Sequence, residues 1–273
     1  MAVIGHVEWV EFAHVEKVPS PGDIVHADHS WAVPAGGGGV AAVQLARLAG
    51  GARLFTALGD DRLGRMAARG LEELGVSVEA VLRPIPQRRC FTFVDRNGER
   101  TITTIGERLN PSGEDPLAWG DLTGIDAVYF TAGDADALDA ARAARVLVAT
   151  SRVLADVARA GVRLDALVGS AFDPSEAYRS GDLEPVPGLV VRTEGGEGGT
   201  YETEDGRSGR YPATPVPGPI ADTYGCGDSF AAGLTFALGA GSGIEEALNL
   251  AARCGAACLT GRGPYEGQLR LAP

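Results

Sequence analysis

The most specific chemistry in the chain sits in seven residues, Asp222-Thr223-Tyr224-Gly225-Cys226-Gly227-Asp228. Gly225 and Gly227 strip side chains from a tight turn. The following SFAAGLTFALGAG continues as a helix with Phe230, Leu234, Ala237 and Leu238 on one face. A glycine-lined helix start presents unpaired N–H groups, and together with the helix dipole these make an anion site suited to phosphate. Asp228 falls in the first turn, beside that site. A carboxylate there repels phosphate unless it serves the other reactant, so its chemical task is to accept a proton from an attacking hydroxyl. The amides of Gly225, Cys226 and Gly227 would meanwhile stabilise charge on the transferred group. The plainer alternative is that Asp228 favours the helix N-terminus electrostatically.

Other residue patterns narrow the chemistry. Lys17 is the only lysine, and it stands in neither a G-x-x-x-x-G-K-[ST] loop nor the strand context of a protein kinase. Phosphoryl groups, if transferred, must be held by amides, arginine and metal. Gly37-x-Gly39-x-x-Ala42, in the glycine run 36–42, fits a dinucleotide fingerprint with Asp60 and Asp61 downstream, and so offers an NAD(P)-dependent oxidoreductase. That alternative puts Pro34 in a central strand and leaves 222–228 unexplained. Arg108, in GERLN, reaches a substrate phosphate if the substrate is already phosphorylated, and is otherwise a solvated arginine. Asp173-Pro174-Ser175-Glu176 has Asp at N-cap, Pro at N1 and Glu at N3, a helix start. The four histidines, all within the first 29 residues, match no helical pair or zinc pattern and read as scattered lid residues. Cys90, Cys226, Cys254 and Cys258 form no CxxC pair and read as reduced thiols. Cys226, at a helix start, is placed to have a lowered pKa.

These residues require a scaffold, and the chain supplies one. RLFTAL then DRLGRMAARGLEEL, DAVYFTAG then ADALDAARAA, RVLVAT then SRVLADVARAG, and LDALVGS then the DPSEAY segment alternate strand with helix. The alternation predicts a doubly wound, mostly parallel α/β sheet flanked by helices, in a single domain of residues 1–273. About residues 11–33 and 88–106 lack helices, and the turn Asp95–Gly98 between FTFV and RTITTI predicts a hairpin. Together they predict a small β-sheet lid. The excess of 36 acidic over 24 basic side chains argues against a nucleic-acid partner. No run of about 18 apolar residues suggests a membrane span, and the first residues carry no signal-peptide pattern, so the reading is cytoplasmic.

The sequence resembles the ribokinase-like (PfkB-type) carbohydrate kinases. Their closing D-T-x-G-A-G-D stands here at 222–228, and PSPGDIV (19–25), AGGGGVAAVQLARLAGG (35–51), ALGDDRLGRMAARGLEELGV (57–76), DRNGERTI (95–102), TEGGEGG (193–199) and GRGPY (261–265) follow the family's order. The resemblance implies ATP-dependent phosphorylation of a hydroxymethyl group on a sugar or nucleoside. It makes Asp228 the general base and the amides of 225–227 the anion hole. It assigns Thr193, Gly195 and Gly198 to the nucleotide loop, Gly255 to room for the adenine, and Gly36 and Gly37 to the sugar. Asp173 and Glu176 align with N-x-x-E, which organises Mg2+ mostly through water. A monovalent cation (K+) beside the Asp222 loop and a homodimer through the lid come by the same analogy. The family's hydroxyl-binding aspartate and asparagine align with Val10 and Ala41, so Glu8 and Glu11 are the candidates to replace the aspartate. These two losses also raise a catalytically weak sugar sensor as an alternative.

Overall fold

Short apolar runs without polar alternation make the core strands. In the computed structural model, which describes residues 1–271, β1 (Ala2–Ile4), β8 (Ala127–Phe130) and β9 (Val146–Thr150) are buried at every position. This is the mark of strands covered on both faces. They form a nine-stranded sheet with β4 (Ala52–Gly59), β5 (Val76–Arg83), β10 (Ala166–Ser170), β11 (Leu189–Thr193), β12 (Gly199–Thr203) and β13 (Ser208–Tyr211), in the order β13-β12-β11-β10-β9-β8-β1-β4-β5. Pairing is parallel from β5 to β11. The last two strands run antiparallel, an edge that the strand–helix alternation does not announce.

Helices cover both faces. Helices α1 (Gly36–Ala49), α5 (Cys226–Gly239) and α6 (Ile244–Cys258) pack over one core with Val3, Tyr129 and Val148. Helices α3 (Ala135–Ala141) and α4 (Leu154–Ala160) close the other, over Ala2, Ile4, Leu147 and Ala149. Neighbouring strand residues thus feed opposite cores, as the two-residue strand period requires. Helix α5 is buried on nearly every side, with Leu238 of the expected apolar face only half-buried. It crosses α6 closely because a Cβ at Gly233 would fall 2.8 Å from Cys254 Sγ and 3.0 Å from Ala251 Cα. Helix α2 (Arg62–Glu73) starts on Asp61, whose carboxylate accepts from Gly64 N at 2.8 Å. Among the described residues no helix is long and apolar enough to cross a membrane.

A second sheet has the order β3 (His29–Ala35), β2 (Glu8–His14), β6 (Arg89–Val94) and β7 (Arg100–Ile105). It reaches from Glu8 to Ala35, farther at both ends than residues 11–33, while 15–28 form no strand. The β2–β3 and β6–β7 pairs are antiparallel and the central β2–β6 pair is parallel. One face sends Val10, Phe12, Cys90 and Val94 into the main core. Pro34 lies on the edge strand β3, the one place in a sheet where a missing N–H is tolerated. The expected hairpin is present, closed by Gly98 N to Asp95 O at 2.9 Å. The segment after β10 differs from expectation. Asp173 caps Ser175 N at 2.9 Å, but only a single 3-10 turn, Pro174–Glu176, follows. Glu176 bonds Ser170 N at 2.7 Å instead of closing a capping box.

Candidate active site

Helix α5 begins on Gly225, which holds φ +82 and whose added Cβ would lie 2.9 Å from Val40 Cγ1 and 3.0 Å from Pro264 Cβ. Both the dihedral and the space demand glycine. The first intrahelical bond runs from Ser229 N to Gly225 O at 2.9 Å, and no side chain caps the helix. The N–H groups of Cys226, Gly227 and Asp228 therefore have no helical partner, and nothing stands within 4 Å of a Cβ position on Gly227. The helix start opens into a cleft of about 1000 Å³ between the main sheet and the small one.

Gly36 and Gly37 form the opposite wall at the start of α1. A Cβ on Gly37 would sit 2.7 Å from Thr131 Oγ1, 3.1 Å from Asp228 Oδ1 and 3.5 Å from His6 Cε1, so the backbone comes against the Asp228 carboxylate. Burial pushes the Asp228 carboxyl up to about 6, with Glu176 and Glu8 adding to the rise and Arg100 and Arg152 opposing it. A carboxylate so tuned is ionised at neutral pH yet basic enough to take a proton.

The nucleotide-side candidates divide. Thr193 and Gly195 line the same cleft. Gly198 does not. It holds φ +84 where its Cβ would strike Tyr211 O, so it serves the close packing of the β11–β12 turn on the end of β13. Gly255 also lies outside the cleft wall, its bare Cα facing Cys226 O and Phe230 across the α5–α6 contact. Cys226 contributes its amide, while its thiol turns toward Cys258. A hydrogen bond to Cys258, and then burial, push that thiol well up, opposite to the lowering expected at a helix start.

The acidic candidates are mostly engaged. Glu8 lines the cleft but is held by Arg88 Nε at 2.7 Å and by the Cys90 thiol, which donates at 2.9 Å. Glu11, three residues along the strand, points to the opposite face and pairs with Arg89 Nη2 at 2.8 Å. Val10 and Ala41 are fully buried and supply nothing to the cleft. Asp173 and Glu176 line it, with Arg152 Nη2 at 2.7 and 2.5 Å from their oxygens. No group of three His, Cys, Asp or Glu positioned to hold a metal occurs among the described residues. An ion carried mainly by phosphates and water needs only one or two carboxylates, and Asp173 and Glu176 fit that demand as outer contacts. Asp222 is a buried clamp outside the cleft, accepting from Tyr224 N at 2.8 Å and Gly263 N at 3.0 Å. These bonds fix the loop ahead of α5.

Several cleft residues were not singled out by the sequence, among them Arg88, Arg100 and Arg152, and His6 was read only as a scattered lid histidine. His6 follows β1 and is no lid residue. Arg100 Nη1 donates to Thr223 O at 2.7 Å, and Thr223 donates its N and Oγ1 to Gly98 O at 3.1 and 3.2 Å. The hairpin of the small sheet is thereby tied to the loop that carries the anion site. Arg108 lies exposed on the cleft wall.

The profile of the pfkB family carbohydrate kinases matches residues 1–161 and 163–270. An ATP-dependent ribose-1-phosphate kinase of Halopiger xanaduensis is 28% identical over 92% of this chain and 89% of its own length. A fructokinase of Klebsiella pneumoniae is 26% identical over 87% of this chain and 91% of its own. The crystal structure of a Thermotoga maritima ribokinase superposes with a TM-score of 0.80 at 20% identity, over 98% of this chain and 95% of that one. With the profile spanning nearly the whole chain, and a glycine-lined helix start that carries a carboxylate in its first turn, this chain belongs to the pfkB family of carbohydrate kinases, phosphotransferases with an alcohol group as acceptor.

Proposed function

We propose that the protein transfers the γ-phosphoryl group of ATP to a hydroxymethyl group of a sugar, with Asp228 as general base and the amides of residues 225–227 as the anion hole. The observation that carries this reading is the Asp228 carboxylate set against the Gly37 backbone at the mouth of three unpaired helix amides. An acceptor resting on Gly36 and Gly37 has its hydroxyl beside Asp228. The hydroxyl oxygen attacks the γ-phosphorus, the bond to the β,γ-bridging oxygen breaks, ADP leaves, and the proton passes to Asp228. The amides at the helix start hold the negative oxygens of the moving group. Thr193 and Gly195, on the far side of the cleft, are the wall for the nucleotide.

Magnesium arriving with the nucleotide would neutralise phosphate charge, its water shell within reach of Asp173 and Glu176. Asp222 is accounted for as a loop clamp without a monovalent cation. The hairpin bonded to Thr223 makes the small sheet a lid that keeps water from the transferred group. Its edge strand β7 is exposed at every position, which supports pairing of two lids in a homodimer; sedimentation at increasing protein concentration tests that. The activity is tested by ADP release across a panel of sugars. The reading requires ADP that appears only when ATP and an acceptor are both present, and it fails if ADP forms at the same rate with no acceptor.

A further inference from the structure

The charges around the glycine pair are not those of a pocket for a neutral sugar. Neither asparagine nor glutamine lines the cleft among the described residues, so the side-chain amides that pair with neutral hydroxyls are missing. Four arginines, Arg88, Arg100, Arg108 and Arg152, stand there among the carboxylates Glu8, Glu99, Asp173, Glu176 and Asp228. Arg152 is neutralised by Asp173 and Glu176, and Arg88 by Glu8. The exposed side chain of Arg108 makes no ion pair or hydrogen bond with any described residue, and partial desolvation in the cleft, then repulsion from Arg88, push the pKa of its guanidinium down. Although Arg88 Nε is close to Glu8, its N–H is not aimed at the carboxylate and has no hydrogen-bond acceptor.

His6 gives an independent sign. It is 8% exposed, lines the cleft, and its Nδ1 has no partner. Burial first, then Arg108, Arg88 and Arg152, hold its pKa down to about 3. The ring is therefore neutral at physiological pH, and three guanidinium groups act on it at once. His6 Cε1 and Asp228 Oδ1 both fall within 3.5 Å of the point where a Gly37 Cβ would sit. The cationic end and the base thus flank the same glycine, a short span apart.

We propose that the acceptor is an anion: a small sugar carrying a phosphate or carboxylate, held by Arg108 with Arg88 beside it, while its hydroxyl lies at Asp228. This deepens the kinase reading and rests on the same cleft. The anion supplies the acceptor that Arg108 lacks, and charge-assisted bonds to a guanidinium fork are the strong ones. Glu8 does not repel it, because Arg88 and Cys90 already hold that carboxylate.

The test compares matched acceptors by ADP release: ribose with ribose 1-phosphate and ribose 5-phosphate, fructose with fructose 1-phosphate and fructose 6-phosphate, and glucose with gluconate. The phosphate and carboxylate arms separate the two sources of charge. At least one anionic member should exceed its neutral partner about 100-fold in kcat/KM. Arg108→Gln, which leaves no protein carboxylate unpaired, should lower that value about 10- to 100-fold, far more than it lowers turnover of the neutral partner. Preference for the neutral member of every pair, or an equal effect of Arg108→Gln on neutral and charged acceptors, overturns the proposal. Calorimetric titration of the same compounds without ATP separates the two readings. Arg108-dependent binding of an anionic sugar with no ADP formed keeps this inference and removes the kinase one. Neither ADP nor Arg108-dependent binding removes both.

Discussion

Replacing Asp228 by asparagine should make the protein more stable while disabling it. The fold raises this carboxyl from 3.8 to about 6. At about 1.4 kcal/mol per pH unit, holding it as an anion at neutral pH costs about 3 kcal/mol. Water in the cleft screens part of this, leaving about 1.5–3 kcal/mol. The folded-state pKa lies above the unfolded one, so the stabilising contribution is fully present below about pH 4 and is lost as pH rises through about 6. The amide carries no charge and avoids the penalty. A chain of this size gains roughly 2–4 °C in Tm per kcal/mol, so Asp228→Asn should melt about 3–12 °C higher than the parent at pH 8. The gap should close as the pH is lowered to 4. Turnover should fall about 10²- to 10⁴-fold through loss of the base. Calorimetric melting across pH 4–8 beside steady-state ADP release measures both. A variant that melts lower than the parent at pH 8, or shows a pH-independent gap, refutes the buried-carboxylate reasoning. Turnover within a few-fold of the parent refutes the base.

The same carboxyl should appear as the acid limb of the kcat/KM profile, with activity rising to a plateau through about pH 6; a limb near pH 4 would assign the ionisation elsewhere. Gly225→Ala must place a methyl against Val40 and Pro264 at φ +82, and should destabilise by about 2–4 kcal/mol in chemical denaturation while abolishing turnover; an unaltered midpoint contradicts the packing. Cys226→Ala keeps the amide and removes only the thiol directed at Cys258, so kcat should stay within a few-fold of the parent, and a 100-fold loss would give the thiol a chemical role.

Local pattern made the anion loop legible in the sequence. Two glycines before an apolar helix fix backbone geometry, whatever the rest of the chain does. The strand–helix alternation and the Asp95–Gly98 turn were readable for the same reason. The antiparallel edge β11–β13 was not, because its short strands alternate with no helix. The nucleotide-loop motif was half legible: Gly195 reaches the cleft, but Gly198 answers to Tyr211, a neighbour only in the folded chain. Glu8 and Glu11 looked interchangeable as nearby acids, although their odd spacing on a strand already places them on opposite faces. Arg88, Arg100 and Arg152 are isolated in sequence, and each acquires meaning only when the start of β6, β7 or the turn after β9 brings it to one cleft. Long-range convergence of this kind leaves no short-range signal.

The central claim is phosphoryl transfer from ATP to an acceptor hydroxyl at the start of α5. It is tested most directly by following phosphorus-31 resonances of ATP, Mg2+ and acceptor with the parent protein and with Asp228→Asn. The parent should convert the γ-phosphorus signal into a phosphomonoester in one-to-one step with ADP, its fine structure showing coupling to the two protons of a hydroxymethyl carbon, and the variant should not. Inorganic phosphate as the sole new signal, or a variant that makes the ester as fast as the parent, would contradict the account.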